Sequence, residues 1–315
     1  MIDAPKSQTV IAPKLDLSVQ LGRLALKNPV LVASGTFGYA KEMAGVIPLG
    51  ELGGILPKTI TQNARPGNAP WRTVETSSGL LNAIGLDNDG IDYFLVNHWP
   101  YLKASGGTII VSIAGKSLED FVLLAQRLRE AEGLEAVELN VSCPNVSGGI
   151  DFGTDAKLCY EVVSSVRRVL DCAMITKLTP NVTCIVDIAQ AAKDAGTDAV
   201  TCINTVLGMA VDWRKRKPLL TNVVGGLSGP AIKPIALRCV YQVASKVGIP
   251  VIGVGGIANI DDMMEFLIAG ASAIQIGTAN YYDPLVSMKL IRALPDALAT
   301  IGANSVREIV GTLKT

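Results

Sequence analysis

The segment Ala136-Val-Glu-Leu-Asn-Val141 is followed by the polar loop Ser142-Cys-Pro-Asn145. Most of the first part is apolar, which is typical of a strand buried on both faces in a parallel sheet. In the loop, Pro144 favours an extended or turn conformation for the preceding cysteine. A thiol beside two carboxamides, just past a strand end, suits proton-transfer chemistry on a loop. A buried structural cysteine is the alternative, and the polar neighbours argue against it.

An apolar run, a polar or glycine-rich loop and a longer amphipathic segment follow one another repeatedly on both sides of this segment. About eight such runs predict an α/β fold, a closed (β/α)8 TIM barrel with parallel strands. The alternative is an open doubly wound sheet, but no Gly-x-Gly-x-x-Gly segment opens an early helix. The predicted strands are Pro29–Ala33, Gly53–Pro57, Thr108–Ile113, Ala136–Val141, Met174–Leu178, Asp198–Ile203, Pro250–Val254 and Ala273–Ile276. The predicted helices include Leu118–Glu130, Ala156–Leu170, Ile185–Ala195, Pro234–Val247 and Asp261–Ala269.

Three segments fall outside this repeat. Residues Leu15 to Leu26 alternate in polarity around Gly22, which predicts a short antiparallel hairpin over the bottom of the barrel. Two long insertions, from Thr59 to about Gly106 and from Asn204 to about Gly229, are expected at the C-terminal face, where barrel loops carry function. Because no linker-like stretch divides the chain, we expect one domain over residues 1–315, with residues 1–14 as an N-terminal tail.

Composition narrows the class of protein. The 315 residues are 49% hydrophobic, and 28 basic side chains balance 28 acidic ones, which disfavours nucleic acid as a partner. The six cysteines lack Cys-x-x-Cys spacing, which argues against a metal site and a disulfide scaffold and fits a reducing cytoplasm. The N-terminal residues show no signal-peptide pattern, and apolar runs such as Val247 to Ile257 are too short and glycine-rich to span a membrane. We therefore expect a cytoplasmic protein.

Every predicted strand ends in, or is followed by, polar or glycine residues. In a barrel the carboxyl ends of the strands meet at one face, so these residues should surround one site. In chain order they are Ser34, Lys58 with Thr59, Ser112, Asn140 with Cys143, Lys177, Asn204 with Thr205, Gly255 with Gly256, and Gly277 with Thr278.

Two of these residues, Lys58 and Lys177, carry positive charge at the ends of apolar strands. Two cations facing one pocket need a negative partner, because buried like charges cost several kcal/mol each. A phosphate, a carboxylate or a flavin ring that becomes anionic on reduction would serve. A flat ring with alternating N–H and C=O groups also matches the carboxamides of Asn82, Asn140, Asn145 and Asn204.

Glycines end the last two predicted strands, in Val254-Gly-Gly-Ile257 and Ile276-Gly-Thr278. Glycine lets the backbone approach a phosphate closely, and the N-terminus of a following helix favours an anion. Phosphate binding at this position is common in barrels. These segments therefore predict a phosphate-bearing cofactor or substrate.

His98 is the only histidine, and it lies away from the strand ends. We interpret it as structural. A Ser-His-Asp triad and a histidine metal site are then excluded. Cys143 is consequently the predicted base, because a thiol with a reference pKa of about 8.5 needs only a modest decrease to give a useful thiolate fraction.

Nine short motifs stand out along the chain, from about Leu15 almost to the C-terminus. They are Ala33-Ser-Gly-Thr-Phe-Gly38, Pro57-Lys-Thr-Ile60, Leu81-Asn-Ala-Ile-Gly-Leu86, Leu139-Asn-Val-Ser-Cys-Pro-Asn145, Lys177-Leu-Thr-Pro180, Ile203-Asn-Thr205, Gly226-Leu-Ser-Gly-Pro230, Gly253-Val-Gly-Gly-Ile257 and Ile276-Gly-Thr-Ala-Asn280. In content and order they resemble the motifs of the class 1 dihydroorotate dehydrogenases, and within them the NAD-linked 1B catalytic subunit.

Carried over residue by residue, the resemblance implies a bound flavin mononucleotide (FMN) with dihydroorotate on its ring. FMN would be held by Ser34, Lys58, Thr59, Ser112, Asn140, Lys177, Ile203, Gly229, Gly255, Gly256, Gly277 and Thr278. Dihydroorotate would be bound by Lys58, Asn82, Ala83, Ile84, Gly85, Leu86, Asn140, Asn145, Asn204 and Thr205. The family usually has Asn at the position of Ser112, whose side chain is shorter, so water would fill the gap.

The resemblance also implies a mechanism and a partner. Cys143 would remove the C5 proton while hydride passes from C6 to FMN N5, with Lys58 contacting flavin and substrate and Lys177 stabilising reduced flavin. Electrons would reach NAD+ through a partner that carries FAD and a 2Fe-2S cluster, with two such subunits on a homodimeric core. The chain has no dinucleotide fingerprint and no cysteine cluster of its own for such groups.

Other functions remain open on the sequence. A flavoenzyme of the dihydropyrimidine dehydrogenase type shares the fold and the cysteine base, although Asn145 favours dihydroorotate. A 1A-like enzyme would use fumarate, but Arg216-Lys-Pro218 and the Asn-Ala-Ile-Gly-Leu form are similar to 1B. A non-redox barrel lyase or isomerase explains the phosphate segments but not the asparagines or the cysteine loop. A non-catalytic scaffold is a further alternative, for which Cys143→Ser should have no effect.

Overall fold

The computed structural model describes residues 15–141 and 152–314. Its strands are β1 Val19–Leu21, β2 Leu24–Leu26, β3 Val30–Val32, β4 Gly54–Ile55, β5 Thr73–Thr76, β6 Gly79–Asn82, β7 Ile110–Ile113, β8 Ala136–Asn140, β9 Ala173–Leu178, β10 Ala199–Cys202, β11 Val206–Met209, β12 Val211–Asp212, β13 Lys217–Pro218, β14 Val224–Ser228, β15 Val251–Val254 and β16 Ala271–Ile276. Its α-helices are α1 Ile91–Tyr93, α2 Trp99–Ala104, α3 Leu118–Arg129, α4 Ala156–Arg167, α5 Ile185–Asp194, α6 Lys233–Val247, α7 Ile260–Ala269, α8 Ala279–Tyr282 and α9 Val286–Thr300.

Eight parallel strands form the central sheet in the order β4-β3-β16-β15-β10-β9-β8-β7. The two outer strands approach each other through parallel bridges that pair Ile55 with Ile109 and Ile60 with Ile113. Ile55 N donates to Thr108 O at 2.8 Å across this seam. The predicted TIM-barrel fold is confirmed.

The helices between the strands follow from local sequence. In α3, Ser117 caps the N-terminus by accepting a hydrogen bond from Asp120 N, as N-cap serines do. The buried side chains Phe121, Leu124 and Leu128 recur at helical spacing and turn one face of the helix towards the barrel. The observed helix ends one residue before the predicted range of Leu118–Glu130.

The predicted N-terminal hairpin is present as the antiparallel pair β1 and β2, with Val19 opposite Leu26. Its turn packs on the amino end of β10, where Arg23 N donates to Asp198 Oδ1 at 3.3 Å. A Cβ on Gly22 would lie 2.5 Å from Asp198 Cβ, so only glycine fits this turn. The hairpin therefore lies at the end of the barrel opposite to the strand carboxyl ends.

The two long insertions pair with each other, which the sequence did not predict. They form a four-stranded antiparallel sheet in the order β11-β14-β6-β5. Its central pair places Asn82 opposite Gly226, residues separated by 144 positions. Leu81, Ala83 and Leu220 form a small buried cluster under this sheet. Across the described ranges, no helix is both long and apolar enough to cross a membrane.

Candidate active site

A cavity of about 1010 Å³ lies at the carboxyl ends of the barrel strands, between the barrel mouth and the sheet formed by the two insertions. Most of the predicted site residues line it. They are Ser34, Lys58, Thr59, Asn82, Ile84, Gly85, Leu86, Asn140, Lys177, Ile203, Asn204, Thr205, Gly229, Gly255, Gly256, Gly277 and Thr278. The barrel thus brings residues from all parts of the chain to one place.

Two predicted residues are placed differently. Ser112 and Ala83 are buried and do not line the cavity. The Ser112 hydroxyl lies 3.0 Å from Thr59 Oγ1, which in turn lies 2.8 Å from Ser34 Oγ, so Ser112 supports a residue of the wall. Cys143 and Asn145 lie outside the described residues.

Lys177, at the carboxyl end of β9, faces a carboxylate from the barrel interior. Its Nζ lies 3.9 Å from Oε1 of Glu138, whose side chain is fully buried. Glu138 Oε2 accepts hydrogen bonds from Thr201 Oγ1 at 2.9 Å and from Gln275 Nε2 at 2.8 Å. A carboxylate is one of the three kinds of negative partner that the sequence predicted for Lys58 and Lys177.

Lys58 also lies near a carboxylate, at the rim of the cavity. Its Nζ is 3.8 Å from Asp87 Oδ2, and Arg72 Nη1 lies 3.2 Å from the same oxygen. Lys58 and Arg72 thus share one carboxylate, so the charge of Lys58 is only partly offset by Asp87.

The aromatic ring of Tyr39 packs beneath the side chain of Lys58, whose Nζ lies 5.9 Å from the ring centroid. Burial raises the pKa of Tyr39 to about 12, so its hydroxyl stays protonated near neutral pH. His98 stacks on the Tyr39 ring at 3.7 Å, and its Nε2 lies 2.9 Å from Asp89 Oδ2. His98 does not line the cavity. It supports the Tyr39 ring by stacking on it.

The carboxamides are held by hydrogen bonds with the backbone and with each other. Asn204 Nδ2 donates to Asn140 Oδ1 at 3.3 Å, while Asn204 Oδ1 accepts from Thr205 N at 2.9 Å. Asn82, from the sheet of the insertions, donates to Gly226 O at 3.3 Å. Carboxamides fixed from opposite walls present the donors and acceptors that a flat polar ring needs.

A glycine-rich wall lies on another side of the cavity. Gly229, Gly255 and Gly256 have φ angles of 90°, 134° and 77°, which other residues rarely adopt. Among the described residues, no backbone oxygen accepts a hydrogen bond from the N–H of Gly255, Gly256 or Thr278. These donors suit an anion such as a phosphate.

The predicted helix N-terminus contributes less to that wall than expected. At the start of α7, the N–H groups of Ala258 and Asn259 donate to Oδ2 of Asp262 at 2.9 and 3.2 Å. Asp262 N in turn donates to Asn259 Oδ1 at 3.0 Å, which completes a capping box. Three N–H groups at this helix start are therefore already bonded within the chain.

Sequence reasoning missed several residues of the site, chiefly Glu138, Gln275 and Asp87. For Glu138 the sequence contained a signal, because it is a charged residue inside a strand that is otherwise apolar. Side chains alternate along a strand, so Glu138 shares a face with Asn140 and points into the barrel. No such signal marked Asp87, which lies in an insertion.

A closed barrel whose strand ends surround one cavity lined by lysines, carboxamides and glycines defines the class of TIM-barrel enzymes. Comparison with known proteins agrees with this class. The sequence profile described as "Dihydroorotate dehydrogenase" matches residues 16–298. The chain belongs to the dihydroorotate dehydrogenase family, whose members are oxidoreductases.

Similar proteins cover almost the whole chain. A protein of Bacteroides thetaiotaomicron is 50% identical over 300 residues, which are 95% of this chain and 99% of the relative. Proteins of Geotalea uraniireducens and Desulforamulus reducens are each 48% identical, over 96% and 95% of this chain and 99% and 98% of theirs. All three are named "Dihydroorotate dehydrogenase B (NAD(+)), catalytic subunit".

Proposed function

We propose that this chain is the catalytic subunit of an NAD+-linked dihydroorotate dehydrogenase, which oxidises (S)-dihydroorotate to orotate in pyrimidine biosynthesis. One observation carries the proposal. Lys58, Lys177 and the carboxamides of Asn82, Asn140 and Asn204 come from separate elements and line one cavity, in a chain 50% identical to a relative of that name.

The cofactor that we propose is FMN, and the residues present fit it. The cavity offers a phosphate the N–H groups of Gly255, Gly256 and Thr278, which donate to no backbone oxygen in the described part of the chain. It also offers the ammonium of Lys177 to a ring that gains negative charge. When bound, FMN would accept the hydride that leaves C6 of the substrate. The proposed FMN-binding residues that line the cavity are Ser34, Lys58, Thr59, Asn140, Lys177, Ile203, Gly229, Gly255, Gly256, Gly277 and Thr278.

Substrate binding is assigned to the carboxamides and to Lys58. The amide groups of Asn82, Asn140 and Asn204 match the N–H and C=O groups of a pyrimidine ring. Lys58 would attract the substrate carboxylate, because its charge is only partly offset by Asp87, which it shares with Arg72. Thr205, residues Ile84 to Leu86 and, by resemblance, Asn145 complete the proposed substrate site.

Cys143 is the proposed base for the C5 proton. Among the described cysteines none lines the cavity. Burial raises the pKa of Cys159 to about 12 and also raises the pKa of Cys202 and Cys239, so these thiols stay protonated near neutral pH. Tyr39 is likewise too weak an acid to act as a base there. This leaves the thiol of Cys143 as the candidate.

A partner subunit is part of the proposal. The relatives are named catalytic subunits, which implies a second kind of subunit in their enzymes. We propose a homodimeric core with two partner subunits that carry FAD and a 2Fe-2S cluster and reduce NAD+. The chain alone should reduce NAD+ with dihydroorotate only very slowly, and rapid reduction by the pure chain would refute the partner requirement.

A visible spectrum of the pure protein tests the function directly. We expect flavin absorption that is bleached when dihydroorotate is added without oxygen. A colourless protein that binds no added FMN would favour a non-redox barrel enzyme. Bleaching by dihydrouracil but not by dihydroorotate would favour a dihydropyrimidine dehydrogenase, and fast reoxidation by fumarate would favour a 1A-like enzyme.

A further inference from the structure

Glu138 is a fully buried carboxylate in the interior of the barrel, directly behind the cavity wall. One oxygen, Oε2, accepts hydrogen bonds from Thr201 and Gln275. The other, Oε1, has no hydrogen-bond partner in the described part of the chain. It lies 3.9 Å from Nζ of Lys177, which lines the cavity.

Stability does not explain this carboxylate. Barrel interiors are usually filled by branched apolar side chains, and replacing a buried ion pair by such residues is often neutral or stabilising. An oxygen without a hydrogen bond adds a further desolvation cost. The position of the Glu138 carboxylate beside Lys177 therefore points to a role in the site.

We propose that Glu138 is a positioning residue that acts through Lys177. Its carboxylate holds the lysine ammonium at the cavity wall and offsets part of its positive charge. This inference rests on the proposed function, because it concerns how strongly the site favours reduced over oxidised FMN.

The direction of the effect follows from charge. A neutral flavin that takes up a hydride from the substrate gains two electrons and one proton, so the product carries one more negative charge. Lys177 attracts that charge, and Glu138 weakens the attraction. Removing the carboxylate charge should therefore favour the reduced flavin.

The test is Glu138→Gln, which keeps the size of the side chain and an oxygen for Thr201 and Gln275. We expect the variant to prefer reduced over oxidised FMN about tenfold more than the wild type, a rise of about 30 mV in the two-electron midpoint potential. The potential is measured with redox dyes, and the dissociation constants of oxidised and reduced FMN are measured on the apoprotein.

Thr176→Val is the matched control. Thr176 is also buried and precedes Lys177, but its hydroxyl bonds to Thr197 at 3.0 Å rather than to Glu138. We expect its potential to equal that of the wild type. In the double variant Glu138→Gln/Lys177→Met, the midpoint potential should differ little from that of Lys177→Met alone. A shift that survives in full there would show that Glu138 does not act through Lys177.

Thr201→Val keeps the inference testable if Glu138→Gln does not fold. It removes one donor from the carboxylate, leaves more of its negative charge unscreened and should lower the potential. An unchanged or higher potential would overturn the inference. A wild-type protein that is not bleached by dihydroorotate would refute the proposed function, whereas a bleached wild type with an unchanged Glu138→Gln potential refutes this inference alone.

Discussion

Asn204 Nδ2 donates a hydrogen bond to Asn140 Oδ1 at 3.3 Å, which joins the carboxyl ends of β10 and β8 across the barrel mouth. Strand β9 lies between them, and its Lys177 is in register with Asn140 on one side and with Thr201 on the other. The ammonium of β9 thus has one carboxamide at the end of β8 and another two residues past the end of β10. The barrel strands and the short connection after β10 together set the geometry of this part of the site.

The first prediction concerns Asn204→Ala. The change removes a carboxamide that we assign to the pyrimidine ring and one hydrogen bond to Asn140 Oδ1. One hydrogen bond to a polar ligand contributes about 1–2 kcal/mol, so kcat/KM for dihydroorotate should fall about 10- to 30-fold, measured by steady-state kinetics with an artificial acceptor. Asn222→Ala, at an exposed residue of the second insertion, should change nothing. Full activity of Asn204→Ala would remove this residue from the substrate site.

Lys58→Met tests the positive charge at the rim of the cavity. Methionine keeps much of the length of the side chain but cannot attract a carboxylate. Hydrogen bonds to charged groups contribute about 1.5–3 kcal/mol, so kcat/KM should fall about 10- to 150-fold. Lys41→Met is the control, because Lys41 donates to Asn97 O at 3.1 Å and does not line the cavity. Equal kinetics for the two variants would contradict the assignment.

The pH dependence of the reaction tests the base. The thiolate is the active form, so the rate should rise with pH through the pKa of Cys143 and level off above it. Burial keeps the pKa of Cys159 and of Tyr39 at about 12, so neither group adds a step between pH 6 and about 9. Cys143→Ser should be much slower near neutral pH and recover part of its rate at high pH. Cys184→Ser, at an exposed cysteine, should keep the wild-type profile.

The glycine wall can be tested with Gly256→Ala. The residue has a φ of 77°, and a Cβ there would lie 2.8 Å from Lys233 Cβ and 2.9 Å from Gly229 O. Strain at such a position costs about 1–3 kcal/mol, so we expect weaker FMN binding and a lower melting temperature. Gly302→Ala isolates the conformational part of this cost, because its φ is 70° and its Cβ would meet nothing within 4 Å. If both variants bind FMN as the wild type does, the close packing at Gly256 is not needed for the cofactor.

Sequence alone determined the barrel and most of the residues around its mouth. The predicted strand Ala136–Val141 corresponds to Ala136–Asn140, and the predicted helix Asp261–Ala269 to Ile260–Ala269. Each of these elements is encoded by a local pattern of apolar residues, which is visible in a window of a few residues. Once eight such units close into a ring, the residues after each strand must meet at one end.

Only the tertiary structure decided what those residues meet. Asn82 pairs with Gly226, Glu138 lies near Lys177, and Asp87 lies near Lys58. Each of these contacts joins distant parts of the chain, and neither part has a sequence feature that predicts the other. Pairing between distant segments depends on the direction in which strands leave the barrel and on the space between them. A local pattern predicts which face of a strand is buried, but it does not predict which side chain from a distant segment contacts that face.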